Sequence, residues 1–133
     1  MAGASAISSA GAIRNSKLKS VEDIVIDKSG KFKYILMKVH DPDKDREFKH
    51  IVRGHSKAHF HADIYDEVSS AIEDKGLDCE CVGGGRIHME PHHKKIQVYG
   101  YSQQYGRADH SITHALLLRK YPEFNITWNN DGY

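Results

Sequence analysis

The chain has 133 residues, a length suited to one compact domain and too short for a second sizeable core. Hydrophobic residues at 39% and charged residues at 28% exclude the disordered and collagenous classes, and no run approaches the roughly 20 apolar residues of a bilayer span. Nineteen Lys and Arg against eighteen Asp and Glu leave a net charge of +1, so no global field attracts nucleic acid or acidic lipid, and anion recognition must be local.

Residues 1–20 mix Ala, Ser and Gly with Arg14, Lys17 and Lys19 and contain no acid. They weakly resemble an organelle transit peptide, but without an amphipathic pattern or an apolar secretory core they are expected to be a solvated tail. The folded domain is then expected over 21–133. VEDIVID (21–27) reads as a short strand ending in the Ser29-Gly30 turn. In KFKYILMKVH (31–40), Lys33, Ile35, Met37 and Val39 share one face, while Phe32, Tyr34, Leu36 and Lys38 share the other. Apolar residues on both sides predict a central strand. Asp41 to Glu47 is a polar loop, and FKHIVRG (48–54) is a further strand.

His61, Ile64, Tyr65, Val68 and Ile72 fall at helical spacing, with Gly76 as a stop. DCECVGGGRIHM (78–89) is strand-like, and its three glycines predict a bulge or a close backbone approach. KKIQVYGY (94–101) is another strand and SQQYGRAD a loop. Asp109 is the N-cap of a second helix carrying Ile112, Ala115, Leu116 and Arg119, stopped by Pro122 before a last strand, FNITW. The predicted architecture is α+β, one mixed sheet of about six strands sandwiched between two helices.

His61 lies at a helix start and in phase with its apolar stripe, so it faces the sheet. First-turn N–H groups, including that of Ala62, make an anion site beside it. The imidazole can serve there as nucleophile or general base, or it is simply a histidine packed at a helix end. Lys33 interrupts an apolar face, where it either meets an anion or snorkels to water. Arg53 and Arg86 close strand-like runs and suit phosphate, though each also fits a surface ion pair. The strand exit Tyr101-Ser102-Gln103-Gln104 offers backbone N–H groups and a hydroxyl for an anion cradle, or is only a loop. Gly83-Gly84-Gly85-Arg86 matches neither a Walker loop nor a dinucleotide fingerprint. His55, His59, His61 and Asp63 raise a metal reading that no recognised ligand motif supports. Cys79 and Cys81, the only cysteines, cannot form a disulfide framework and point to a reducing, cytoplasmic setting.

The segments FKYILMKVH, IVRG, FHADIYD, DCECVGGGRI, KKIQVYGYS, YGRADHSIT and WNNDGY together resemble the phosphohistidine phosphatase, or Janus, family over about residues 21–133. The resemblance implies a metal-independent protein phosphatase that needs no cofactor and acts on phosphohistidine-containing proteins. It implies a catalytic role for His61 and places Lys33, Arg53 and Arg86 in the substrate site. The phosphate cradle falls on Ala62, Tyr101 and Ser102, with Gln103 and Gln104 in the following loop. Phe60 stands where the family pattern has tyrosine, and Gln103-Gln104 where an apolar pair is expected; both bear on substrate preference. A monomer is expected, with neither nucleic acid nor membrane as partner. Two other readings are a phosphoprotein-binding module without useful catalysis and a metal-dependent hydrolase using His55, His59 and His61.

Overall fold

A computed structural model describes residues 13–44 and 47–132. The chain runs through helix α1 (Ser16–Lys19), strands β1 (Ile24–Ile26), β2 (Gly30–His40) and β3 (Phe48–His55), helix α2 (His61–Asp74), strand β4 (Asp78–Glu90), a 3-10 turn (Pro91–His93), strand β5 (Lys95–Tyr99), helix α3 (His110–Lys120) and strand β6 (Asn125–Trp128). The strands form one sheet in the order β1-β3-β2-β4-β5-β6. The two outer pairs, β1 with β3 and β5 with β6, are parallel; the inner pairings are antiparallel.

The two apolar faces of β2 explain the layering. Ile35, Met37 and Val39 join Ile51, Ile64 and Ile72 in a core beneath α2. Phe32, Tyr34 and Leu36 join Ile87, Ile96, Val98, Leu116 and Leu117 beneath α3. Each fully buried aliphatic side chain contributes about 1.5–3 kcal/mol, so β2 secures both layers. The predicted sandwich of one sheet between two helices is the observed fold. Yet α2 packs chiefly on β4, β2 and β3, and among the described residues the same face over β5 and β6 carries no helix.

Two differences from the expected pattern have identifiable causes. Tail character stops before residue 20: Asn15 caps α1 by accepting from the Leu18 N–H at 3.0 Å, and Leu18 is fully buried in the α2-side core. One apolar residue in a polar stretch carries no periodicity, so this anchor is invisible to pattern reading. The transit-peptide-like residues 1–12 lie outside the described residues, as do Asp45 and Arg46 of the polar loop. On α3 the buried residues are His110, Thr113, Leu116 and Leu117, while Ala115 is exposed. Two polar side chains take part of the buried stripe because Tyr34 satisfies them, its hydroxyl lying 2.6 Å from His110 Nδ1 and 2.9 Å from Thr113 Oγ1.

Candidate active site

Helix α2 begins at an extended Phe60 (φ −133°, ψ 154°). The Phe60 N–H donates to the Asp63 carboxylate at 3.0 Å, and its carbonyl accepts from the Asp63 N–H at 3.1 Å. These bonds fix the first turn. The N–H groups of His61 and Ala62 precede any intrahelical acceptor, and with the helix dipole they favour negative charge at this end.

His61 is 7% exposed, and its Nε2 lies 3.0 Å from the Gly85 carbonyl oxygen. A carbonyl can only accept, so Nε2 carries the proton and the neutral ring keeps its lone pair on Nδ1. Burial is the largest influence on its pKa and pushes it below the usual 6.5; the Gly85 carbonyl opposes this, and the charges of Lys33 and Arg86 push it down again. The ring is therefore a neutral acceptor at pH 7.

The glycine run is what lets this ring sit against the sheet. A Cβ on Gly84 would stand 2.7 Å from His61 Cδ2 and 3.0 Å from Ser102 Cβ. On the opposite face, a Cβ on Gly85 would stand 2.6 Å from His110 Cε1, and one on Gly83 would meet the Ala108 backbone at 2.5 Å. All three glycines mark close approaches, as the sequence predicted, and β4 also shifts register here, opposite Leu36 and Met37.

Lys33 and Arg86 are direct cross-strand partners on β2 and β4. Like charges so placed repel, and an anion between them removes that cost. Both line a cavity of about 340 Å³ together with His59, Phe60 and His61 on one side and Tyr101, Ser102, Gln103 and Gln104 on the other. Ser102 is buried; its N–H donates to the Gly106 carbonyl at 3.1 Å and its Oγ accepts from the Tyr105 N–H at 3.0 Å. The Ser102 hydroxyl proton remains available to an anion, whereas its backbone N–H is committed to the turn.

Arg53 is not brought to this cavity. Its guanidinium donates to the carbonyls of Val52 (3.0 Å) and Glu22 (2.8 Å) and lines a separate groove between β1 and α2. Ala62 is half-buried and adjoins His61 without its side chain lining the cavity. The histidines of the metal reading diverge: His55 Nε2 lies 3.2 Å from Glu67, while His61 turns to Gly85. Among the described residues no three His, Cys, Asp or Glu side chains gather as a metal site. Cys81 is raised to about 11 by burial, so its thiol stays protonated and is a poor nucleophile.

His110, which the sequence did not single out, braces this site from behind. Its Nε2 donates to the Gly100 carbonyl at 2.9 Å, directly before the Tyr101–Gln104 segment, and its ring packs against Gly85. No spacing rule connects Tyr34 with His110 across 76 positions, so only the folded chain reveals the pair.

The model of the Janus/Ocnus family (Ocnus) matches residues 18–125. A 14 kDa phosphohistidine phosphatase of Sus scrofa is 49% identical over 120 residues, which span 87% of this chain and 95% of the relative. That of Homo sapiens is 48% identical over 120 residues, spanning 87% and 96%. The sex-regulated protein janus-A of Drosophila pseudoobscura pseudoobscura is 41% identical over 119 residues, spanning 87% and 80%. The matched region runs from the buried Leu18 of α1 to the first residue of β6 and takes in every residue that lines the cavity, so the chain belongs to the Janus/Ocnus family.

Proposed function

We infer that this chain is a protein phosphohistidine phosphatase, an enzyme that hydrolyses the P–N bond of phosphohistidine in proteins. The observation that carries the site assignment is the neutral His61 ring, with Nδ1 as its one acceptor nitrogen, lining a cavity shared with the facing cations Lys33 and Arg86. Lys33, Arg86, the Ala62 N–H and the Ser102 hydroxyl hold the phosphoryl oxygens in this proposal, and Tyr101, Gln103 and Gln104 shape the wall opposite. Arg53 acts at a distance, by fastening β3 to the segment before β1.

The chemistry asks for little beyond positioning and charge stabilisation, because an imidazole nitrogen is a good leaving group once it can depart neutral. The substrate imidazole, protonated on its other ring nitrogen, departs neutral as the P–N bond breaks. His61 Nδ1 either takes a proton from the attacking water and then passes it to solvent, or attacks phosphorus itself, and the phospho-His61 so formed, still protonated on Nε2, is hydrolysed to release neutral His61. Either route ends in inorganic phosphate and a neutral substrate histidine. Neither needs a metal. The free Cys79 and Cys81 fit a reducing setting, and we place the enzyme in the cytoplasm as a monomer.

Phosphate release from a histidine-phosphorylated protein, in excess EDTA and beside phosphoserine and phosphotyrosine controls, tests the proposal. The wild type should release phosphate selectively, and His61→Ala should lose that activity while remaining folded. Near-normal release by His61→Ala removes His61 from the mechanism, and dependence on added zinc restores the metal reading.

A further inference from the structure

The sheet face that α2 leaves bare is continuous with the cavity. From Arg86 to the end of β4 and along β5 burial alternates: Ile87, Met89, Ile96 and Val98 are buried beneath α3, while Arg86, His88, Glu90, Lys95, Gln97 and Tyr99 are half-buried on the other face. Register arranges that face in rows. Lys33, Arg86 and Tyr99 form the first, of which Lys33 and Arg86 also line the cavity. Lys31, His88, Gln97 and Thr127 form the second, and Glu90, Lys95 and Asn125 the third. Lys31 therefore stands two residues, about 7 Å, along β2 from Lys33.

A polar open face on an antiparallel sheet is ordinary; its charge pattern is not neutral. Lys31, Lys33, Arg86 and Lys95 face the same side as two acids, Glu90 and Asp131. Glu90 lies 3.9 Å from His88, and Asp131 borders the depression of about 350 Å³ that Lys31, His88, Gln97 and Tyr99 line. Neither Lys31 nor Lys95 takes part in an ion pair among the described residues. A histidine side chain is short, so a protein whose phosphohistidine enters the cavity must rest its own surface on the adjoining floor.

We propose that this bare β2-β4-β5-β6 face is the docking surface for the substrate protein, and that it selects partners whose surface around the phosphohistidine is acidic. The proposal rests on the phosphatase reading and adds the partner's chemistry to it. Complementary charge raises the encounter rate and lowers KM for the protein substrate without touching the reacting atoms, and the effect is screened by salt.

The test compares phosphoramidate, which needs only the cavity, with two histidine-phosphorylated proteins, one of net negative and one of net positive charge. The enzyme is used as the full chain, as wild type, as Lys31→Glu/Lys95→Glu and as Lys75→Glu, a control at the far end of α2. The wild type should prefer the acidic protein, with KM rising as salt is added. The double variant should raise KM for the acidic protein on the order of tenfold, while phosphoramidate turnover stays within about twofold and Lys75→Glu matches the wild type. An unchanged KM for the acidic protein overturns the proposal, as does an equal loss on phosphoramidate, which would mean that the lysines act through the cavity. A wild-type dimer that the double variant dissolves would give the face to a second copy instead. Failure of the wild type on all three substrates would refute the phosphatase reading itself, a result distinct from any change in selectivity.

Discussion

His61 Nε2 donates to the carbonyl oxygen of Gly85 at 3.0 Å, so the imidazole takes its orientation from the backbone of the central sheet and not from a carboxylate side chain. Its ring edge also abuts Gly84, where an added Cβ would stand 2.7 Å from Cδ2. The ring is thus located by the missing side chain of Gly84 and the carbonyl of Gly85, while the missing side chain of Gly85 makes room for His110 on the other face.

Gly84→Ala should therefore displace His61 and cost on the order of 10²-fold in kcat, the usual scale for a misplacement near 1 Å. Far-ultraviolet circular dichroism and a thermal melt would establish that the variant still folds. A kcat within a few-fold of wild type would mean that the ring tolerates the shift.

The acid limb of activity should follow His61. Its folded pKa lies below 6.5, so the ring remains a neutral acceptor as pH falls through 6.5, and activity declines only as pH passes the lowered value. Lys33→Met removes one of the charges that lower it, and the His61 midpoint should rise. Ring proton resonances read that midpoint directly and independently of turnover; a midpoint that falls or stays fixed contradicts the electrostatic account.

Arg53 should behave as a fastening and not as a phosphate ligand. Arg53→Met removes donors to the Val52 and Glu22 carbonyls, at about 1 kcal/mol per hydrogen bond, and should lower Tm while kcat changes little. Loss of kcat at unchanged Tm would place Arg53 in the reaction after all.

Leu18→Ala should destabilise the fold by about 2–4 kcal/mol, the range for truncating a buried leucine. Denaturant titration measures it. If the midpoint does not move, α1 contributes nothing and the folded unit begins at Val21.

Acid should begin to weaken the fold as pH falls below about 6.5. His110 is buried and its pKa is lowered, chiefly by burial. The unfolded chain thus takes up a proton below about 6.5 that the folded chain refuses. The contribution of this site is complete above that pH and is lost as pH falls from 6.5 to the lowered value. His110→Gln should show a flatter Tm profile between pH 7 and 5, at a lower Tm throughout; an unchanged slope would assign the acid sensitivity to other groups.

The sequence by itself determined the layering and the address of the site. Alternation in KFKYILMKVH makes β2 doubly buried, and helical spacing from His61 to Ile72 turns His61 toward the sheet, because period 2 and period 3.6 are local properties that any stretch of chain displays. The family segments brought Lys33, Arg86 and Tyr101–Gln104 into the same site. Tertiary structure alone decided the rest. It separated Arg53 from the cavity although Arg53 lies on the same face of the sheet as Lys33, because Glu22, 31 positions away, holds its guanidinium. It buried Leu18, fixed the His61 tautomer through Gly85, and paired Tyr34 with His110. Each of these depends on two groups distant in sequence meeting at hydrogen-bond or van der Waals range, and no local pattern encodes which partner will arrive.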